Sequence, residues 1–171
     1  MGDIKAEDLF LEADQLSDDN KNIEARNILL ELLSDFPDYG RAHNLLGWLY
    51  QNKFSNNTKA KLHYEMAIKY ASDFGGGYNN YAYLLVETNK YDEMLSFGLE
   101  NINNNSVDKA VIYNKLGQAY ELKGDLLNAL ECYNLSIKDT LSLQTLESMY
   151  SAKSRVKKKM SFFQKIKTLN K

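Results

Sequence analysis

The chain has 171 residues, of which 44% are hydrophobic, 26% charged and 12% aromatic, a balance that supplies the core of a soluble globular domain. One proline and one cysteine exclude a proline-rich linker and a disulfide scaffold, two histidines exclude a histidine-rich metal centre, and no apolar stretch approaches the roughly 20 residues of a membrane-spanning helix. The net charge of −2 is unevenly distributed, because residues 153–171 carry eight basic side chains and no acidic one, which leaves 13 basic against 23 acidic residues elsewhere.

The predicted elements are helices that follow one another in pairs. Residues 1–8 are acidic and lack the apolar segment that directs secretion, so the expected location is the cytoplasm. Apolar patterns and turn residues then predict helix pairs at 6–16 and 23–36, 41–51 and 58–71, 78–88 and 91–102, and 108–122 and 126–138. Gly75–Gly77 is interpreted as a turn before the fifth helix. Ser142 is expected to cap a ninth helix, from Leu143 to about Lys167.

Small residues recur at one place in the first helix of each pair. Ala13, Gly47, Ala82 and Gly117 follow one another at steps of 34, 35 and 35 residues, and three rows in the second helices, which begin at Ala25, Leu29 and Leu33, keep nearly the same period. Antiparallel helices approach to about 8–10 Å only where small side chains lie at the crossing. One such hairpin cannot bury its apolar face alone, so the pattern predicts stacked hairpins.

This period resembles the tetratricopeptide repeat, a 34-residue helix-turn-helix unit. The fourth copy matches best, with Tyr113, Leu116, Gly117, Tyr120, Gly124, Leu126, Ala129, Tyr133 and Ile137 at the positions that define the family pattern. The third copy departs from the pattern at Met94 and Gly98, where alanine and an aromatic residue are usual. The resemblance implies an all-α, right-handed α-solenoid of four repeats, at about 6–39, 40–74, 75–108 and 109–142, with a C-terminal capping helix and basic tail at 143–171.

The resemblance also implies a binding surface, because in this family the first helices line a concave groove that holds peptides or partner proteins. Three residues before the crossing residue stand Asn44, Asn79 and Asn114, and one residue after it stand Trp48, Tyr83 and Gln118. An amide offers a donor and an acceptor to a peptide backbone, and aromatic rings are common at binding hot spots. The alternative is that the amides bond neighbouring helices and that Trp48 fills the core.

No combination of residues predicts catalysis, a cofactor or a metal site. The chain has neither a phosphate-binding loop nor a zinc-protease motif. His63 is expected to be structural and far from His43, and Cys132 to be a packed thiol. The five positions of the two-carboxylate clamp found in chaperone-binding members hold at most two suitable residues, so that clamp is not expected. The sequence predicts a non-enzymatic adaptor or scaffold for a protein or peptide partner, of undetermined oligomeric state.

The C-terminal tail has the pattern of a basic amphipathic helix. The apolar residues Met160, Phe162, Phe163, Ile166 and Leu169 fall roughly on one helical face, and lysines surround them. Such a helix can lie on an anionic membrane surface, bind an acidic partner, pack onto the last repeat, occupy an acidic groove of the same chain, or remain solvated. Nucleic acid is not an expected partner, because residues 1–152 carry a net charge of −10.

Overall fold

The computed structural model describes residues 2–169, and every regular element in that range is an α-helix. The helices are α1 (Gly2–Asp18), α2 (Asn22–Asp35), α3 (Gly40–Asn52), α4 (Asn57–Tyr70), α5 (Gly75–Glu87), α6 (Tyr91–Asn101), α7 (Lys109–Leu122), α8 (Leu126–Asp139), α9 (Leu143–Lys159) and α10 (Phe162–Leu169). The residues divide into two compact units, Met1–Leu84 and Leu85–Lys171, and the division falls inside α5. No helix of the described range combines the length and the apolar character needed to cross a membrane.

The eight paired helices are all present, but the interpretation of Gly75–Gly77 as a turn is wrong, because these glycines form the first turn of α5. Local helix propensity disfavours glycine by about 1 kcal/mol per residue, which is why a run of three glycines indicated a turn. A Cβ atom on Gly76 would lie 2.5 Å from the Phe74 ring, so this position has little room for a side chain, whereas one on Gly77 would make an ordinary contact with Ala67 at 3.4 Å.

The predicted crossing residues lie where the helices approach most closely. A Cβ atom on Gly47 would lie 2.7 Å from the Tyr64 ring in the first unit, and one on Gly117 would lie 2.7 Å from the Tyr133 ring in the second. Substitution by alanine would therefore push the helices apart at either site. The α3–α4 and α7–α8 hairpins therefore need a residue without a side chain at the crossing, as the recurrence of small residues predicted.

Each of the four hairpin turns contains one residue with a left-handed backbone. These residues are Asn20, Ser55, Asn89 and Gly124, with φ of 60°, 50°, 59° and 83°. Their spacing repeats the period of the helices, and such a residue commonly ends a helix. The α3–α4 turn closes with a bond from the Asn56 N–H to the Tyr50 carbonyl, whereas the other three close over one residue fewer. The α3–α4 turn is therefore one residue longer than the other three.

The predicted ninth helix is present but shorter than expected. Ser142 caps α9 by accepting a bond from the Thr145 N–H at 3.3 Å, as predicted. The helix ends at Lys159, because Met160 has extended backbone and a new helix begins after Ser161. Ser161 and Gln164 form a reciprocal capping box, with N–H-to-side-chain distances of 2.9 and 3.3 Å. This local signal divides the expected single helix into α9 and α10.

Helix α9 completes the core of the second unit. Its side chains Met149, Ala152 and Val156 are buried against α8, and Met160 after the helix joins the same cluster. Burying one side chain of this size contributes about 1.5–3 kcal/mol relative to exposure. The capping role that the resemblance implied for this segment is consistent with this apolar contact.

Candidate functional site

The first unit holds four of the six predicted site residues, two on each of two helices. Asn44 and Trp48 lie one turn apart on α3, and Asn79 and Tyr83 lie one turn apart on α5. Residues four apart share one face of a helix. Asn44, Trp48 and Asn79 are half-buried, and Tyr83 is 41% exposed. Each helix therefore presents an amide and an aromatic ring along one face.

Hydrogen bonds already occupy part of this surface. The Asn80 amide donates from Nδ2 to Oδ1 of Asn44 at 2.9 Å, which ties α5 to α3. Oδ1 of Asn79 is buried and has no hydrogen-bond partner among the described residues. The alternative role for the amides, helix-to-helix bonding, thus applies to Asn44, while Asn79 keeps an acceptor that costs free energy while it is unsatisfied.

The aromatic residue Trp48 is neither fully exposed nor part of the closed core. Its ring has the Lys53 ammonium 5.3 Å from its centre, and its carbonyl accepts a bond from Asn52 at 3.0 Å. The cation lies over a ring face, where the ring quadrupole attracts it. Trp48 therefore has a half-buried apolar ring with polar groups beside it, an environment typical of aromatic residues at interfaces.

The second unit holds the remaining two predicted residues, both on α7. The Gln118 amide donates from Nε2 to Oδ1 of Asn114 at 2.7 Å, and both side chains are half-buried. Next to Asn114, the Lys115 side chain is buried, and burial lowers its pKa to about 8 although Glu87 opposes this effect. This buried lysine is a feature of α7 for which the repeat pattern had given no role.

The three asparagine amides share one property that the sequence could not show. Their oxygens are bonded or buried, whereas the Nδ2 groups of Asn44, Asn79 and Asn114 donate no hydrogen bond within the described part of the chain. The expectation that each amide offers both a donor and an acceptor is therefore too broad. The groups left for a ligand are donors, which suit carbonyl oxygens.

The expectation that the two histidines are far apart is wrong. Antiparallel packing of α3 on α4 places Nδ1 of His43 3.0 Å from Nδ1 of His63. Nε2 of His43 lies 3.0 Å from the Pro37 carbonyl, so the neutral ring donates from Nε2 and accepts at Nδ1 from His63. Burial lowers the pKa of both rings, that of His63 to about 4. No group of three or more metal-ligating side chains occurs in the described range.

A buried carboxylate in the second unit was not predicted. Glu121, whose side chain is 4% exposed, accepts from Tyr133 at 2.9 Å, from two nitrogens of Arg155 at 2.8 Å and from Lys159 at 2.7 Å. Burial alone would raise its pKa, but the bonds from Arg155, Lys159 and Tyr133 outweigh burial and lower it to about 2. Two cations of the basic tail therefore anchor α9 to α7.

The lone thiol also has a defined environment. Cys132 is buried in α8, and burial raises its pKa to about 12, with a smaller contribution from Glu131. The thiolate is the nucleophilic form of cysteine. The Cys132 thiol is therefore a buried side chain that is protonated at neutral pH, in agreement with the packed thiol expected from the sequence.

Comparison with known proteins identifies the fold. No protein-family model and no curated protein sequence matches the chain. A MamA crystal structure is similar over 92% of this chain and 88% of that one, with a TM-score of 0.71 and 16% identity. PilF of Pseudomonas aeruginosa covers 91% and 78%, with a TM-score of 0.73 and 16% identity. YrrB, described as a TPR protein with an unusual peptide-binding site, covers 85% and 76%, with a TM-score of 0.65 and 17% identity. The predicted tetratricopeptide-repeat fold is therefore confirmed.

Proposed function

We propose that the chain is a non-enzymatic interaction module that binds an extended segment of a partner protein. Each unit has its own proposed binding residues, which are Asn44, Trp48, Asn79 and Tyr83 in the first unit and Asn114 and Gln118 in the second. One observation carries the proposal: unpaired amide donors stand one helical turn from half-exposed aromatic rings on α3 and α5. An extended peptide presents one carbonyl acceptor at every residue, so amide donors can bind it without reading its side chains.

The two kinds of residue make different contributions. A neutral hydrogen bond contributes about 0.5–1.5 kcal/mol, because water competes for both groups. Truncation of a tryptophan or tyrosine at a binding hot spot costs about 2 kcal/mol or more. Trp48 and Tyr83 therefore supply most of the affinity, and the amides fix the position of the peptide backbone. The similar structure of YrrB, which is described as having a peptide-binding site, supports this choice of ligand.

The sole tryptophan gives a direct test. A random peptide library is selected against the full chain, and a selected peptide is titrated while Trp48 fluorescence is recorded. Trp48→Ala and Tyr83→Ala should each weaken binding about 30-fold, as expected for loss of a hot-spot ring. Asn79→Ala should weaken it about fivefold, as expected for one hydrogen bond. Calorimetry replaces fluorescence for the tryptophan variant.

Matched controls use the same residue types elsewhere. Tyr150 is 57% exposed on α9, and Asn134 is exposed on α8. Tyr150→Ala and Asn134→Ala should leave the affinity of the selected peptide unchanged. If the control variants weaken binding while Tyr83→Ala does not, the proposed surface is wrong.

A second activity, association of the C-terminal helix with an anionic surface or an acidic partner, is favoured by a separate observation. Phe162 and Phe163 are 71% and 77% exposed at the start of α10, beside lysines. Large aromatic side chains are seldom left this open without a partner. Nucleic acid remains an unexpected partner, because of the acidic charge of residues 1–152.

A further inference from the structure

Helices α9 and α10 form a cleft of about 730 Å³ whose charged side chains are all lysines. Lys153, Lys157 and Lys158 reach it from α9, and Lys165 reaches it from α10. No acidic residue follows Glu147 in the sequence. The cleft is therefore a concentration of positive charge that no carboxylate lines.

The lysines of the cleft differ from the two cations that hold α9 in place. Arg155 and Lys159 are paired with Glu121. Lys157, Lys158 and Lys165 form no ion pair within residues 2–169, and the Lys153 ammonium lies 5.6 Å from the centre of the Tyr150 ring. Burial, together with repulsion from Lys157, lowers the pKa of Lys153. An anion in the cleft would relieve this repulsion.

Helix α10 turns its apolar face away from the cleft. Its cleft-lining residues are Lys165 and Thr168. At 100° per residue, Phe162, Phe163 and Ile166 fall on another side of the helix, and they are 71%, 77% and 41% exposed. The two phenylalanine rings contact each other edge to face at 5.9 Å instead of packing into the core.

Lysines border this apolar face on both sides. By the same helical geometry, Lys165 lies about 60° before Phe162 and Lys167 lies about 40° after Phe163. A short helix with an open aromatic face between cations has the arrangement of a segment that lies in a bilayer interface, with the rings among the acyl chains and the cations at the headgroups.

We infer that the α9–α10 element docks on an anionic membrane surface, with Phe162 and Phe163 inserted below the headgroups and lipid phosphates bound at the lysine cleft. This inference rests on the second proposed activity and names its partner. An acidic peptide or another soluble polyanion would satisfy the lysines and leave both aromatic rings in water. The bilayer interface supplies the negative charge and the apolar phase together.

Vesicle co-sedimentation of the full chain tests the inference. The chain should bind vesicles that contain about 30% phosphatidylserine and should not bind pure phosphatidylcholine vesicles, because lysines near an anionic surface each strengthen binding about fivefold. Raising the salt from about 0.1 M to 0.5 M should weaken binding at least tenfold, because the Debye length falls from about 10 Å to under 5 Å.

Charge variants identify the lysines that matter. The cleft variant carries Lys157→Gln, Lys158→Gln and Lys165→Gln, and it should bind anionic vesicles about 100-fold more weakly. A control variant with the same change in net charge replaces three exposed lysines of the second unit, Lys90, Lys109 and Lys138, by glutamine. The control should stay within about threefold of the wild type, because its lysines lie outside the cleft.

Aromatic variants test insertion separately from charge. Phe162→Gln with Phe163→Gln should weaken vesicle binding at least about tenfold, through loss of apolar area buried in the bilayer. The control replaces Leu99 and Leu122, which are 58% and 57% exposed, by glutamine and should bind normally. In a Trp48→Phe background, Phe163→Trp should show a blue shift of its emission on anionic vesicles.

The outcomes separate the inference from the activity on which it rests. If the chain binds polyglutamate but not anionic vesicles, membrane docking is overturned and an acidic partner takes its place. If the phenylalanine variant binds anionic vesicles as well as the wild type, insertion of the two rings is overturned. Binding to neither polyglutamate nor vesicles overturns both the inference and the second activity. Neither result affects the peptide-binding proposal, which has its own residues and assay.

Discussion

Substitution of the buried carboxylate Glu121 by glutamine should destabilise the second unit by about 2–3 kcal/mol. The carboxylate accepts four hydrogen bonds, and its pKa falls from an ordinary 4.5 to about 2. A difference of about 2.5 pKa units corresponds to roughly 3 kcal/mol in favour of the charged form. A glutamine can accept with its oxygen, but its NH₂ group would face the donors of Arg155 or Lys159.

The exposure of the two cations sets the upper bound of this effect. Breaking a fully buried pair costs about 3–5 kcal/mol, because a charge is left without compensation. Here the side chains of Arg155 and Lys159 are 52% and 49% exposed, so they can turn to water once Glu121 is neutral. The loss should therefore lie near the lower end of that range.

Urea unfolding followed by circular dichroism measures the change, and hydrogen exchange of the α9 amides shows where it acts. Asp92→Asn is the matched control, since it removes a carboxylate that pairs with Lys123 in the same unit but is 86% exposed. Exposed pairs contribute little to stability, so the control should unfold like the wild type. Faster exchange in α9 should appear only in Glu121→Gln.

The pH dependence gives the result that would refute the reasoning. Because the pKa of Glu121 is lower in the folded state than in the unfolded state, its contribution is fully present above about pH 4.5 and is lost as the pH falls towards 2. The stability difference between wild type and Glu121→Gln should therefore shrink over that window. Equal stabilities at pH 7, or a difference that persists at pH 2, would mean that the charge does not stabilise the contact with α9.

Three further predictions concern single residues. Gly124→Ala should lower the free energy of unfolding by about 1 kcal/mol, because no atom lies within 4 Å of the added methyl group and only the left-handed backbone opposes the substitution. Ser55→Gly should raise the free energy of unfolding by a similar amount, because Ser55 has a left-handed backbone with φ of 50°. Thermal unfolding measures both changes. Folding lowers the pKa of His63 from 6.5 to about 4, so the contribution of this ring to the stability of the first unit should be constant above about pH 6.5. It should fall by roughly 1–2 kcal/mol, after allowance for partial exposure, between pH 6.5 and 4, and urea titrations of wild type and His63→Gln should converge in this window. Cys132 should react with a thiol reagent only when the second unit opens, and a reaction rate equal to that of a free thiol would contradict its burial.

The helix pairs could be predicted from the sequence because the same packing requirement, a small residue at the helix crossing, recurs along the chain. The glycines at 47 and 117 mark the helix crossings since no larger residue fits beneath the tyrosine rings. The glycines at 75–77 misled the same reasoning, because local helix propensity favours a turn there, whereas these residues form the first turn of α5. Ser161 and Gln164 have the spacing of a capping box and so indicate a helix start, but the run of basic residues on both sides favoured one continuous helix.

The candidate site was predictable in its positions and not in its chemistry. Register alone placed the asparagines and aromatic rings on the first helices. The hydrogen bond from Asn80 to Asn44 and that from Gln118 to Asn114 depend on side-chain orientations that no spacing specifies. These bonds occupy the amide oxygens of Asn44 and Asn114, and that occupation is visible only in three dimensions.

Differences among the hairpins show how the polar contacts are distributed. The Tyr64 hydroxyl donates to Gln51 at 2.8 Å, and the residues at the corresponding positions of the α7–α8 hairpin are Tyr133 and Glu121. The corresponding residues of α5 and α6 are Val86 and Gly98, so neither the acceptor nor the tyrosine is present there. In these three hairpins the acceptor and the tyrosine are therefore present or absent together. In the second unit Leu116 lies close to Gly98 and occupies the space of the missing ring.

The glutamate at position 121, where the α3–α4 hairpin has a glutamine, determines how α9 is held on α7. A glutamine satisfies the tyrosine hydroxyl in the α3–α4 hairpin, so the hydroxyl alone does not require a charge at Glu121. The carboxylate is required by Arg155 and Lys159, which lie four residues apart on one face of α9. These two cations fix the register of α9 on α7, and the lysines between and around them line the cleft. One buried charge thus separates the cations that anchor α9 from those that line the cleft.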